Sequence, residues 1–557
     1  MQSVRAIAGY ITLLIFVLIP GFVSAKDFDA QVRVYEMEDW LSFKNGNYPS
    51  SLTSAFEYVY FGTNGGVIPY HRYGKYWEDA YTVSDGLADD FITAVLFDES
   101  THILWVAHRE GLSYLTQTAP QWENISIEDL LPVHARIERL GIDAQAIWVQ
   151  ASGGYLFRIH KITGTFQSFE NQVSTGVVWS PSHLDLLPSF PNYFLDFGYQ
   201  LQVEGLILDE EFREYPISLF YINSGDDIYG GAWGLGLLTG DAHSRRLSIT
   251  PRGPLQNSVQ ALTLGANGIW MAGYDFAGES LSDQYGISEY RRNEDEWIYH
   301  EDILIPELAT HEVTELRFSD SRLWAGTTQG ISIYHTKRGS WKRIAMSKGL
   351  WDEVITSIAI GDSTAWIGTP RGLNRISIPK YRVKRIKLTT SGPSPGIRKL
   401  HPTQKRIWVG TDNGLYSIHR DDQAVEHFDI FGATVSVNES VASRIQAIGS
   451  DDSLVVAATF HELIGFDLKS EEFVDFPSFQ FLPEVYVRDL DVDGKYAWLA
   501  TDQGAYLIRL DDGYIEKYTM LDGLPSDSIY RVIIDNDYVW LGTNNGLTLY
   551  HWRRYAE

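Results

Sequence analysis

The sequence predicts an all-β chain, a β-propeller array of about twelve four-stranded blades, and three observations carry that expectation. One hairpin sentence recurs: VWLGTNNGLTLY at residues 539–550 returns as LWAGTTQGISIY (323–334), AWIGTPRGLNRI (365–376), IWVGTDNGLYSI (407–418) and AWLATDQGAYLI (497–508). Its Trp, or a stand-in, steps through Tyr60, Trp105, Trp148, Tyr229, Trp270, Trp324, Trp366, Trp408, Trp498 and Trp540, mostly 41 to 45 residues apart. Each period also holds four short strands, the mark of a propeller blade rather than of a β-helix rung.

Taken in order, the elements each have a reason. Residues 1–25 form an export signal: Arg5 supplies the positive end, residues 11–19 the apolar stretch, and Val23-Ser24-Ala25 a small-residue cleavage site. An uncleaved anchor is the alternative, because residues 6–23 are nearly long enough to span a bilayer. Within a repeat, VWLGT alternates bulky residues, NNG tolerates the positive φ of a tight turn, and LTLY starts the return strand. Upstream lies an inner strand such as IYRVII (529–534) or FITAVLF (91–97), and downstream an outer strand led by an aromatic, such as WIYH (297–300). A single blade cannot cover its own apolar faces, so blades pack face to face and the ring closes. WLSF (40–43) precedes any inner strand and is free to complete the last blade.

Two degenerate copies are expected near residues 192–208 and 455–468, and one insertion at 275–284. Two rings of six blades follow, residues 26–300 and 301–557, with seven plus five as the alternative.

The composition, 44% hydrophobic and 13% aromatic, is that of a folded chain. Net charge is −27, which argues against nucleic acid or anionic lipid as a partner. The absence of cysteine removes disulfides and thiol chemistry and suits an exported protein. Beyond residue 25 nothing approaches a transmembrane helix, so the expected location is periplasmic or secreted, without membrane insertion once the signal is removed.

The motif WxGTxxGLxxY, often preceded by DGL as at Asp85-Gly86-Leu87 and Asp522-Gly523-Leu524, resembles the two-component regulator propeller repeat. WD repeats share the period, but the Trp-Asp dipeptide here, Trp351-Asp352, falls in a loop. The resemblance implies an extracytoplasmic sensor propeller that recognises oligosaccharides. Residues 541–557 leave no room for the kinase of that design, so a separate sensor kinase becomes an expected partner.

Most residue patterns that resemble catalytic or metal motifs have structural explanations. Asp489–Gly494 opens like a calcium loop, yet Ala500 stands where a bidentate Glu is needed, and the segment reads equally well as an inner strand. The histidines show no HxxxH or HExxH spacing, and no GxSxG or phosphate loop occurs. No catalytic residue, metal or cofactor is therefore expected, although a propeller lyase or glycoside hydrolase with carboxylates converging on a ring axis stays open.

Of 17 tryptophans, fourteen fall on hairpin or outer strands and have packing work to do. Trp179, Trp233 and Trp351 are left over, at hairpin turns or in loops entering inner strands, which share one face of a ring. Exposed aromatics there suit a sugar ring or a protein anchor. Arg109, Arg371 and His461, with Glu110, Asp412, Asp502 and Asn544, sit at hairpin turns of the same face. The expectation is a non-catalytic binding protein with a glycan or protein partner on its loop-rich face. A protein–protein scaffold is the alternative.

Overall fold

A computed structural model of the chain describes residue 35 and residues 39–556, apart from 117–118, 128–134, 170–175, 183–184, 186–188, 197, 275–283, 391, 429–443, 461, 475 and 477–484. The export segment, most of the insertion at 275–284 and His461 lie outside the described residues. The rest is all-β, built mostly of four-stranded antiparallel sheets typical of a multi-blade propeller, with one five-stranded sheet and one closed seven-stranded arrangement.

The recurring hairpin has an atomic explanation. Thr327 Oγ1 donates to the Gly330 carbonyl at 3.0 Å and accepts from Gln329 N at 3.0 Å, closing the turn. The same pair of bonds forms at Thr369, Thr411, Thr501 and Thr543. The Gly of WxGT is a close-approach residue. A Cβ added to Gly326 would lie 2.7 Å from Ile355 Cγ2 of the next sheet. Trp324 fills the space between those same two sheets, against Ile355, Ile358 and Ile367. Burying such a side chain contributes about 1.5–3 kcal/mol.

Inner strands pack sheet to sheet. In the first group, Pro49–Ser54 lies against both Ile92–Asp98 and Glu214–Ile222, and Ile92–Asp98 against Ile137–Ile142. In the second, Ala261–Leu264, Val313–Ser319, Ser357–Ile360, Ile397–Pro402, Ala447–Ser450, Val487–Asp493 and Ile529–Asp535 follow one another, and the last packs back on the first. This second set is a closed circuit. Trp40–Phe43 completes its final sheet, pairing with Gly546–Tyr550, and Trp40 stacks on Tyr550 at 3.9 Å between ring centroids.

Between Trp40–Phe43 and Ala261–Leu264 the chain therefore leaves the second circuit, builds the first group and returns. The outgoing and returning segments run side by side. Gly46 N donates to Arg252 O (2.8 Å), Arg252 N to Asn47 Oδ1 (2.7 Å) and Asn45 N to Asn257 Oδ1 (2.8 Å). The two backbones approach so closely that a Cβ on Gly253 would meet the Lys44 carbonyl at 1.7 Å.

On either side of residues 300/301 the sheets share a core, in which Trp270 and Ile287 meet Val313, Leu316 and Leu323. Two details differ from the sequence reading. The degenerate copy near 192–208 forms no sheet of its own. Phe194–Leu195, Gln200–Leu201 and Leu206–Leu208 are too short to span a blade, and they join the sheet of Glu214–Thr250 instead. Trp552 does not lead an outer strand. It is buried on a 3-10 turn, edge-on to Trp498.

Candidate functional site

Four of the seven inner strands of the second circuit start beside a hairpin turn: Val313 pairs with Thr327, Ile397 with Thr411, Val487 with Thr501 and Ile529 with Thr543. In these four strands the next residue is a β-bulge, out of register with the partner. A bulge frees one residue from the ladder and re-aims its side chain. The bulged residues are Thr314, Arg398, Arg488 and Tyr530. The residues that follow the first aliphatic in the other three copies are Gln260, Thr356 and Gln446. All seven line one cavity of about 410 Å³, on the hairpin-turn face, with Tyr486 and Asp412 at its edge.

The threonines in this column stitch sheet to sheet. Thr314 Oγ1 donates to Ile355 O (2.6 Å) and Thr356 Oγ1 to Ile397 O (2.6 Å). The larger members project polar groups. Arg398 meets Asp412 (3.2 Å) and donates to the Tyr486 hydroxyl (3.0 Å), while Arg444 reaches the same Asp412 at 3.3 Å. Arg488 donates to Ser528 Oγ (2.7 Å) and Ile529 O (3.1 Å), with its guanidinium 4.6 Å from the Tyr530 ring centroid.

One residue deeper lies a charged layer. Arg531 binds Glu315 (2.8 Å) and the carbonyls of Gln260 and Thr314 (2.8 and 2.7 Å). Arg317 reaches Glu315 at 2.9 Å, and Lys399 meets Asp489 at 3.1 Å. Burial pushes Lys399 below the usual lysine range, helped by the charge of Arg531. For Asp489 burial works upward, but Lys399, Arg531 and Arg317 outweigh it and hold the carboxyl below the ordinary range. Asp491, on the same strand, is pushed up to about 7 by burial, and His401 down to about 4 by burial, with Ser450 Oγ 2.7 Å from its Nε2.

The residues expected from sequence are dispersed. Trp179 pairs on Gly141 of an inner strand of the first group, under the Arg139 guanidinium (5.3 Å). Trp233 sits at a hairpin turn, edge-on to Tyr48 (5.1 Å). Trp351 lies beneath Arg385 (4.5 Å), its backbone N donating to Asn374 Oδ1 at 3.1 Å. Arg109 forms a forked pair with Asp89 (2.8 and 3.0 Å), and Arg371 pairs with Asp352 at 3.1 Å. None of these lines the axial cavity, whereas Asp412, read as a polar turn residue, does. Sequence reasoning passed over the bulge column. Its signal was present in charged residues inside inner strands, as in IRKLHP, VRDLDVD and IYRVIID, where plain copies read ITAVLFD.

Fold and site together define a multi-blade β-propeller with a polar axial cavity. No family model matches the chain, and no curated protein matches it. Solved structures do. PorZ, described as an essential bacterial surface component of the type-IX secretion system of Porphyromonas gingivalis, superposes with a TM-score of 0.60 at 14% identity, over 92% of this chain and 87% of that one. An extracellular domain from B. thetaiotaomicron assigned to a hybrid two component system, BT3049, gives 0.41 at 16% identity over 93% and 76% of the two chains. At these identities the likeness is one of fold, carried by the PorZ superposition. Among the described residues no helix is long and apolar enough to cross a membrane.

Proposed function

We propose that the chain is an exported propeller protein that binds, rather than converts, an oligosaccharide at the axial cavity of the second circuit. The observation behind this reading is the bulge column, which gathers side chains from seven repeats around one concave, polar site. Such a volume suits a small ligand. Tyr530 and Tyr486 offer ring faces and hydroxyls of the kind that stack on and hydrogen-bond to sugars. Export by residues 1–25 with cleavage after Ala25, action in the periplasm or outside the cell, and a sensor role read by a separate kinase belong to the same reading. PorZ being a surface component supports the location.

The domain organisation in this reading is nested. Residues 258–550 with Trp40–Phe43 form one propeller, and residues 45–252, inserted after the first strand, form the other. The core shared by Phe43, Trp540, Val259, Leu262 and Trp297 supports it.

A glycan array with wild type, Tyr530→Ala and a set of Trp179→Ala, Trp233→Ala and Trp351→Ala variants tests the site. The expected outcome is binding lost in Tyr530→Ala and kept in the three Trp variants. The reverse pattern moves the site from the cavity to the turns and loops that carry those tryptophans. Scaffolding is the second reading, favoured by apolar tips on the 3-10 turns Asp302–Leu304 and Met520–Asp522, where Ile303 is 72% and Leu521 99% exposed. Its test is whether Leu521→Asp abolishes a stoichiometric partner in a pull-down.

A further inference from the structure

We infer that the ligand of the axial cavity carries an oxyanion, a carboxylate or a phosphate group, that seats on Arg398, Arg444 and Arg488 and displaces the Asp412 side chain from the first two. The inference deepens the binding reading above and rests on it for the choice of cavity. Its own support is the charge balance of the site.

The chain as a whole carries −27, yet the cavity gathers cations. At the mouth, Arg398 and Arg444 share one carboxylate, Asp412. Arg488 has hydroxyl and carbonyl acceptors, and among the described residues no carboxylate lies within ion-pair distance of it. Beneath them, Arg317, Lys399 and Arg531 face Glu315 and Asp489, with Asp491 on the same strand. The surplus lies at the mouth, where Arg398, Arg444 and Arg488 have Asp412 as their carboxylate partner, while the three cations beneath are matched by three carboxylates. A concave site with walls of low dielectric concentrates such a surplus into an attractive field for an anion. A neutral sugar would leave that surplus uncompensated.

Guanidinium forks match carboxylate and phosphate geometry, so Arg fits this role better than Lys would. Asp412 marks where the oxyanion would go. Its backbone is pinned, with N donating to Gly396 O at 3.2 Å, while its side chain is 41% exposed on a hairpin turn and held there by the two arginines. The protein thus holds an internal carboxylate in the place an external one would take.

Isothermal titration of the full chain with sodium glucuronate, inorganic phosphate and glucose tests this. At least one of the two anions binds, glucose does not, and the affinity falls steeply as salt rises. Comparison of the two anions tells a carboxylate site from a phosphate site. Arg488→Gln weakens the anion about tenfold or more, as expected for a charge-assisted fork. Arg488→Lys binds at intermediate strength, which separates lost charge from lost fold. Asp412→Asn tightens binding several-fold by removing the competitor. Equal binding of glucose and glucuronate, no change in Arg488→Gln, or loss of the anion in Asp412→Asn overturns the inference. If a neutral oligosaccharide binds in a Tyr530-dependent way while Arg488→Gln is silent, the oligosaccharide reading stands and this one falls. Anion binding with no glycan retained on the array does the reverse, keeping the oxyanion site and removing the oligosaccharide.

Discussion

The first group of sheets and the second circuit are built from the same repeat, and they treat their axis differently. In both, the inner strand bulges one residue after its first aliphatic. In the first group the residues at that place are Ser50, Thr93, Glu138 and Ser218, mostly small hydroxyls. Ser50 Oγ donates to Ile92 O (2.7 Å) and Ser218 Oγ to Pro49 O (2.8 Å), so the position is spent on joining sheets. The segment around Trp179–Ser182 is also laid against the inner strands there. Ser180 N donates to Leu140 O (3.0 Å), and Leu52 N donates to Pro181 O (3.2 Å). In the second circuit the same position carries Arg398, Arg488, Gln446 and Tyr530, and a cavity remains. One backbone device serves cohesion in one region and lines a cavity in the other, according to the side chain placed on it.

The largest way to break this contrast is to open the second circuit. Trp40→Ala removes the buried ring that stacks on Tyr550, and should cost about 3–5 kcal/mol in urea unfolding. In the first group an outer-strand change, Tyr76→Ala, should cost little, since Tyr76 is 49% exposed. Next, Glu315→Gln leaves Arg531 and Arg317 without their shared carboxylate, which should destabilise by about 3 kcal/mol. Its counterpart Ser51→Ala should cost about 1 kcal/mol.

Asp491 gives a pH signature of smaller size. The folded chain holds it protonated to about pH 7, against an ordinary value of 3.8. The native state therefore binds the extra proton across that window, and stability falls as pH rises through it, by about 1.4 kcal/mol for each step of one in pH. His401, held neutral to about pH 4, contributes the opposite slope up to its ordinary 6.5. The clean measurement is Asp491→Asn against wild type at each pH. The variant should gain on wild type from about pH 4 to 7 and hold level above it. Smallest of all, Thr543→Val removes one hairpin hydroxyl and should cost about 1 kcal/mol, read as a shift in the urea midpoint.

The repeat was legible because its physics is local. The hairpin of Tyr538–Thr543 and Gly546–Tyr550 closes over a short stretch of chain, and its Thr, Gly and Trp each recur for a reason that acts within one blade or its immediate neighbour. The site was less legible. Trp179, Trp233 and Trp351 stood out by not fitting the pattern, and each lies against a nearby side chain away from the cavity: Arg139, Tyr48 and Arg385. Arg398 and Arg488 fitted the pattern and so attracted no notice, although Asp412 beside them was named for its turn position.

The sequence by itself determined the strands, their hairpins and the all-β architecture, because strand pairing between consecutive segments is encoded by alternation and turn residues a few positions apart. Tertiary structure decided which sheets are neighbours and which residues meet at an axis. Val259 N donates to Thr543 O, and Leu52 packs with Leu219. Contacts across such chain separations depend on how many wedge-shaped sheets close a circuit, a sum over all of them that no single repeat records.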